Sequence, residues 1–248
     1  GTRLMFTADA YIRDTKDMLT AGVALPAVYG ASSPKMNAAD LRTKGYEFQL
    51  SWRDGFNLFG KPFNYSVTAS FSDYITEITK FDNPERTFAK SYYVGMRMGE
   101  IWGYHTGGLF RSDAEAADYK IDQTFVNQAI ISAAGDERGL HGGDVKFLDL
   151  NGDGVVNQGK NTVDDPGDRT IIGNNQPRYN YGINLSLQYF GFDFGIFFQG
   201  VGKMDWAPAA NNVLFYGPYA RPYATLIPKD FHKKIWSEAN PDAYLPRP

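Results

Sequence analysis

The chain has no cysteine. That excludes a disulfide framework and thiol chemistry, and it makes a structural zinc site a poor expectation. No run of about 18 apolar residues occurs, so no transmembrane helix is expected. Short strands that alternate apolar with polar residues cross membranes below the reach of hydropathy, so a membrane barrel stays open. Basic residues are scattered and the net charge is only −3. Without a basic patch or stripe, nucleic acid is not an expected partner. Catalytic signatures are also missing: there is no G-x-S-x-G, no Walker-type loop, no dinucleotide fingerprint and no H-E-x-x-H. His105, His141 and His232 stand apart from one another. The carboxylate pairs Asp113/Glu115 and Asp164/Asp165 have no spacing that sets a glycosidase separation. No enzyme is expected.

What is present is β-forming: 26 Gly, 16 Tyr and 18 Phe, with few helix-rich stretches. This composition predicts an all-β architecture with many turns. Five strands are legible by alternation. In residues 2–13, Leu4, Phe6, Ala8, Ala10 and Ile12 share a face. Tyr46, Phe48, Leu50 and Trp52 do so in the second strand, and Phe63, Tyr65, Val67, Ala69 and Phe71 in the third. In 178–189 the face is Tyr179, Tyr181, Ile183, Leu185, Leu187 and Tyr189. Phe192, Phe194, Ile196 and Phe198 mark the fifth. The opposite faces carry Asn, Ser, Gln, Thr and Asp. Residues 14–40 lose the period and read as an irregular loop. Asp54–Pro62 and Phe190-Gly191 read as turns.

Residues 76–176 form a very long interruption. Short strands are expected in Gly99–Phe110. A capping box at Ser112-Asp113-Ala114-Glu115 predicts a short helix. Helical spacing of Phe125, Val126, Ala129, Ile130 and Ala133 predicts another over 122–134, and one more is expected from Asp230 to about Ala239, stopped by Pro241. Both ends of the chain read as cuts through a larger protein.

Connections between the five strands run long, short, very long, short. In an antiparallel meander, successive connections fall on alternate ends. The long loops therefore gather at one end and the short turns at the other, as in an outer-membrane barrel. The apolar face would then meet lipid and the polar face a wet lumen. Trp52, Phe63, Tyr65, Tyr179 and Tyr189 would suit an interfacial girdle. A soluble secreted β-domain that binds glycans or cells, stabilised by calcium, is the alternative.

The most chemically specific run is Asp149-Leu150-Asn151-Gly152-Asp153-Gly154-Val155-Val156-Asn157. Oxygen-bearing side chains recur at every second position, the pattern by which a short loop wraps Ca²⁺. Asp149, Asn151 and Asp153 would supply side-chain oxygens, Val155 its carbonyl, and Asn157 a contact through water. The twelfth position is Lys160 rather than an acid, which leaves Asp164, Asp165 and Asp168 as candidates to close the shell. A metal-free Asx-rich turn is the competing reading. Loop aromatics that could stack on a sugar or a partner are Trp102, Tyr104, Trp206, Tyr216, Tyr219 and Tyr223.

Several blocks resemble the SusC/RagA group of TonB-dependent outer-membrane transporters. They are Arg42-Thr43-Lys44-Gly45-Tyr46-Glu47-Phe48, Gly99-Glu100-Ile101-Trp102-Gly103-Tyr104 and the run Gly143 to Gly154. Asp168-Arg169-Thr170-Ile171-Ile172-Gly173-Asn174 follows, with Pro177 and Tyr181-Gly182. Phe197-Phe198-Gln199-Gly200-Val201-Gly202 and Ile235-Trp236-Ser237-Glu238-Ala239-Asn240-Pro241 complete the set. The resemblance implies that 1–248 is part of a barrel of about 22 strands. It implies that 76–176 is an extracellular loop insertion carrying the calcium-like loop 149–168. It implies a SusD-like surface lipoprotein as lid, energy from TonB through parts outside this chain, and oligosaccharide or peptide cargo. In the family the loop runs directly into the Asp-Arg-Thr block, so the final carboxylate would match Asp168, with 159–166 inserted before it.

Overall fold

The computed structural model describes residues 3–21, 30, 34–126, 139–208, 217–219, 226–227 and 229–247. They divide into two units, 1–100 with 174–205, and 101–173 with 206–248.

The first unit holds a five-stranded sheet. Its strands are β1 (Leu4–Ala21), β2 (Lys35–Leu58), β3 (Lys61–Lys80), β8 (Arg178–Tyr189) and β9 (Phe192–Lys203), in the order β1-β2-β3-β8-β9. Every neighbouring pair is antiparallel. The five strands read from alternation are these five. Register carries each apolar face across the whole sheet: Phe6 faces Leu50, Leu50 faces Ala69, Ala69 faces Ile183 and Ile183 faces Phe198. Because the side-chain period is two, a slip of one residue would turn that stripe to the other side. Phe6, Phe48, Leu50, Tyr181, Ile183 and Phe198 remain exposed. Aromatic rings tile the stripe, with Tyr46–Phe48 at 5.5 Å, Phe71–Tyr179 at 6.4 Å and Phe63–Tyr189 at 5.9 Å between centroids. From Tyr179 to Tyr189 the stripe runs about 34 Å along the strand at about 3.4 Å per residue. A tilt near 40° reduces this to about 26 Å, close to the apolar band of a membrane barrel. The opposite face is hydroxyl- and amide-lined, and Ser51–Thr68 and Thr43–Thr76 bond across it at 3.0 and 2.9 Å.

The first short turn is narrower than the expected Asp54–Pro62, and the second lies at Phe190-Gly191 as expected. Leu58 pairs with Lys61 and Tyr189 with Phe192, so only Phe59-Gly60 and Phe190-Gly191 turn the chain. All four have positive φ, at 49° and 77°, then 52° and 79°. Two left-handed residues in succession match the strand twist, and glycine takes the second without strain. Phenylalanine in the first position costs of order 1 kcal/mol.

At the other end the strands are longer than the alternation suggested. β1 continues to Ala21 and β2 begins at Lys35, so much of 14–40 is strand rather than loop. The alternation fails there because the apolar demand ends at the row Ile12–Lys44–Ile75. Beyond it polar pairs hold the ladder. Arg42 donates Nε and Nη2 to the two oxygens of Asp14 at 2.7 and 3.0 Å, and the Asp17 amide donates to Asp40 at 2.8 Å.

The second unit contains short elements. β4 (Glu100–Tyr104) pairs with β7 (Arg169–Asn174), and β5 (Thr106–Leu109) with β6 (Val145–Phe147). Helix α1 spans Asp113–Asp118 and is capped by Ser112, which accepts the Glu115 amide. The Glu115 carboxylate reaches back to the Arg111 amide at 2.7 Å, one residue before the cap. Of the helix expected over 122–134, the described part 124–126 is a turn, and 127–134 lies outside the described residues. The helix expected from Asp230 to Ala239 is a single 3-10 turn at Phe231–Lys233. There the chain returns on itself instead, the Trp236 amide donating to the Leu245 carbonyl and the Leu245 amide to the Lys234 carbonyl, across a bridge from Ile235 to Leu245.

Candidate functional site

The 149–168 loop is built around two buried side chains, Val156 and Asp168, both fully excluded from solvent. Val156 anchors the loop to the segment before it: its amide donates to the Asp122 carbonyl at 2.8 Å, and the Asp122 amide donates to the Gly154 carbonyl at 2.9 Å. Gln123, 1 % exposed, donates to the Val145 carbonyl and accepts the Phe147 amide, so a side chain completes the edge of β6. Sequence reading missed Gln123, since nothing in its neighbourhood marks it.

Within the loop each oxygen-bearing side chain caps a backbone amide further on. Asp149 accepts the Gly152 amide at 2.7 Å and the Gly154 amide at 2.8 Å. Asn151 accepts Asp153, Asp153 accepts Val155, and Asn157 accepts Gly159. Gly152 and Gly154 sit at φ +78° and +87°, the left-handed geometry a side chain would strain. The Gly154 amide, ahead of the other backbone amides, holds the Asp149 carboxyl below the usual carboxylate range. A carboxylate lowered in the fold contributes stability that is present above its unfolded value, near 3.9, and lost as pH falls through its folded value.

Asp168 closes the ring. Its Oδ1 accepts the Leu150 amide at 2.8 Å and its Oδ2 accepts the Asn157 amide at 2.8 Å. Asp168, one of the three acids the sequence left open, is thus aimed into the loop. Asp165 turns toward the inserted stretch, where its amide meets Thr162 and its carboxylate lies 3.9 Å from Lys160. The next residue, Arg169, clips that stretch by donating Nη2 to the Gln158 carbonyl and the Asn161 side chain at 3.1 and 3.0 Å. Adjacent side chains therefore hold two loops, and the Asp-Arg pair in the sequence marks them both.

Asp149, Asn151, Asp153, Val155, Asn157 and Asp168 are thus brought into one small loop. Among the described residues no three His, Cys, Asp or Glu side chains form a metal cluster. A cation here would have to use Asn151, Asn157 and the Val155 carbonyl beside the carboxylates. Val155's carbonyl already accepts the Asn157 amide group at 3.4 Å.

The described loop aromatics have different surroundings. Tyr104 packs edge-on against Phe147, and burial pushes its hydroxyl pKa up. Tyr219 packs against Phe231 and donates to the Pro246 carbonyl at 3.3 Å. Trp102 is half-buried and Trp206 is 69 % exposed. Tyr216 and Tyr223 lie outside the described residues. A further aromatic, Trp236, lies on the Gly142-Gly143 backbone: a Cβ built at either glycine would come within 2.6 Å of the ring. A Gly-Gly pair ahead of an Asp was the available signal.

In the sheet, Asp73 and Arg178 form a pair that alternation alone does not anticipate. Arg178 donates Nε and Nη2 to the two oxygens of Asp73, both at 2.5 Å, and Asp73 is 3 % exposed. Asp73 also accepts the amide of Tyr179, whose φ is +57°.

No family model matches the chain. Among curated proteins it is 27 % identical over 218 residues to "TonB-dependent receptor P39" of Formosa agariphila, covering 79 % of this chain and 20 % of that protein. To "TonB-dependent receptor P3" of the same organism it is 26 % identical over 264 residues, covering 99 % and 22 %. The chain therefore spans about a fifth of the length of these relatives. Among solved structures, the RagAB peptide transporter superposes with a TM-score of 0.61 at 18 % identity, over 99 % of this chain and 24 % of the other. The RagAB peptide importer in its 'open-open' state gives 0.51 at 17 % identity, over 80 % and 18 %. Over nearly its whole length the chain is similar to a segment of the outer-membrane β-barrel of TonB-dependent receptors of the SusC/RagA group.

Proposed function

We propose that this chain is part of the wall of a transporter that imports nutrients across the outer membrane with energy from TonB. The observation that carries this reading is the continuous apolar stripe on one side of the five-stranded sheet, about 26 Å tall, opposite a hydroxyl- and amide-lined side. Lipid would cover the first, and a wet lumen would meet the second. The cargo is an oligosaccharide, with peptides as the second class, and a SusD-like lipoprotein is the surface partner. The similarity to RagAB, titled a peptide transporter, supports the second class. Of the loop aromatics named from the sequence, Trp206 is the most exposed among the described residues and is proposed to meet a sugar face or the lipoprotein.

The intact parent protein is expected to require detergent or a bilayer to stay monodisperse. If it remains monodisperse in plain buffer, the transporter reading fails and a soluble calcium-stabilised β-domain takes its place. Binding of oligosaccharide and peptide panels to the detergent-solubilised parent, with and without its lipoprotein, decides between the cargo classes.

The 149–168 loop is proposed to take Ca²⁺ as a structural ion. Its support is the alternation of Asp149, Asn151 and Asp153 and the return of Asp168 into the same loop. The ion would supply charge neutralisation to a loop whose backbone is already capped by its own side chains. Chelation is therefore expected to lower the melting temperature of the parent by only a few degrees, and Asp149→Ala with Asp153→Ala to abolish the difference. Identical melting in calcium and chelator would remove the ion from the account.

A further inference from the structure

Near the long connections, the outward side of the sheet carries a cation that no acid answers among the described residues. Lys44 lies in β2 between Ile12 and Ile75, one row beyond Tyr46, on the same side as the apolar stripe. It is exposed, and among the described residues it has no hydrogen bond or ion pair. Beside it an open depression of about 560 Å³ is lined by Lys44, Tyr46, Asp73, Ile75, Arg178 and Tyr179, among others. Asp73 does not neutralise Lys44, because both its oxygens are occupied by Arg178. Arg178 uses Nε and Nη2 in that pair, leaving Nη1 out of it.

Depth settles what chemistry such a place meets. The aromatic stripe ends at the row of Tyr46 and Tyr179. Lys44 lies two residues further, about 5 Å at about 3.4 Å per residue and a tilt near 40°, in the last apolar row between Ile12 and Ile75. From that edge Lys and Arg side chains extend from apolar surface toward headgroup phosphate. The next outward row is Asp14–Arg42–Glu77, one cation between two acids, with Arg42 committed to Asp14. Those acids repel an anion from the level above. The apolar rings bar it from the level below.

We infer that Lys44, with the Nη1 edge of Arg178, is a binding site for the phosphate headgroup of an anionic lipid at the end of the barrel wall nearest the long connections. The inference rests on the barrel reading given above. The aliphatic stem of Lys44 packs along Ile12 and Ile75 while its ammonium meets the phosphate. Tyr46 and Tyr179 border the acyl-chain side. The Asp73–Arg178 pair holds the guanidinium at the rim, so its role is to position the second donor.

The test uses the full-length parent protein in a zwitterionic detergent, with short-chain phosphatidic acid as the probe. Phosphatidylcholine of the same chain length and inorganic phosphate are the comparisons. Phosphatidic acid is expected to raise the melting temperature of the wild-type protein, and phosphatidylcholine to raise it less. Lys44→Gln is expected to weaken phosphatidic acid binding about fivefold, the scale of one basic residue at a lipid surface. Lys44→Arg is expected to restore it. Equal affinity in wild type and Lys44→Gln would overturn the site. So would an equal effect of inorganic phosphate, which would make this a free-anion site. The detergent requirement is measured in parallel: its loss would remove the barrel reading, whereas its retention with unchanged lipid affinity removes the lipid site alone.

Discussion

Asp168→Ala is expected to open the 149–168 loop by about 3 to 5 kcal/mol while leaving the five-stranded sheet intact. Asp168 is fully buried, and its two oxygens accept amides on either side of the loop, at Leu150 and Asn157. Truncation leaves both part-buried N–H groups without this acceptor, and each such loss costs about 1 to 3 kcal/mol. Amide hydrogen exchange in the intact parent protein reads this directly. Protection at Leu150 and Asn157 should fall by a factor of about a hundred or more, while β8 amides stay protected. Asp168→Asn keeps the shape and one acceptor, so its loss should be the smaller. Asp165→Ala, at a more exposed carboxylate outside the ring, should change protection within about 0.5 kcal/mol. Unchanged exchange at Leu150 in Asp168→Ala would show that the loop is held by something other than this carboxylate.

Asp73→Ala should destabilise the sheet by about 3 kcal/mol, because it leaves the partly buried Arg178 guanidinium without its carboxylate. The two charges share two short bonds, and the Asp73 side chain is almost wholly excluded from water. Arg178→Met alone should cost a similar amount by leaving the carboxylate unpaired. Together, Asp73→Ala and Arg178→Met should cost clearly less than the two single losses summed. The denaturation midpoint of the parent in detergent, across the four proteins of the cycle, measures the coupling. Strict additivity would mean that the pair does not act as a unit. Tyr179 gives a second readout. Its φ is positive and its backbone amide donates a hydrogen bond to Asp73, so the ring stacked on Phe71 at 6.4 Å should gain mobility in Asp73→Ala.

These two carboxylates show how far residues announce their roles. Asp168 could be narrowed to one of three acids, because a loop of alternating oxygen ligands lacks its closing acid at Lys160. Only the fold shows which acid returns to the loop. The 158–166 stretch folds into its own clip under Arg169, which carries Asp165 away and Asp168 back. Asp73 was less legible still. It follows Phe71 on the apolar side of β3 and looks like the end of a stripe. Its partner lies 105 residues along the chain. Gln123 was not legible at all, and Trp236 only through the Gly142-Gly143 pair it covers, since their partners are backbone groups and glycines of distant segments. The short helix after Ser112 was legible because capping is local: the cap and the amide it serves are three residues apart.

The sequence by itself determined the five strands, their two faces and the order of short and long connections. Period-two alternation is a local property, and one face of this sheet requires it along its whole apolar height. It also determined the residues of the 149–157 loop, because those side chains cap amides only two to five positions away. Tertiary structure alone decided where β1 and β2 end, since beyond Ile12 and Lys44 neither face needs apolar residues and pairing continues on hydrogen bonds and the Asp14–Arg42 pair. It alone brought the Asp168 carboxylate back to the Leu150 and Asn157 amides, and joined Asp73 to Arg178. Both are contacts between segments far apart in the chain, and such contacts depend on register and loop path rather than on any neighbouring residue.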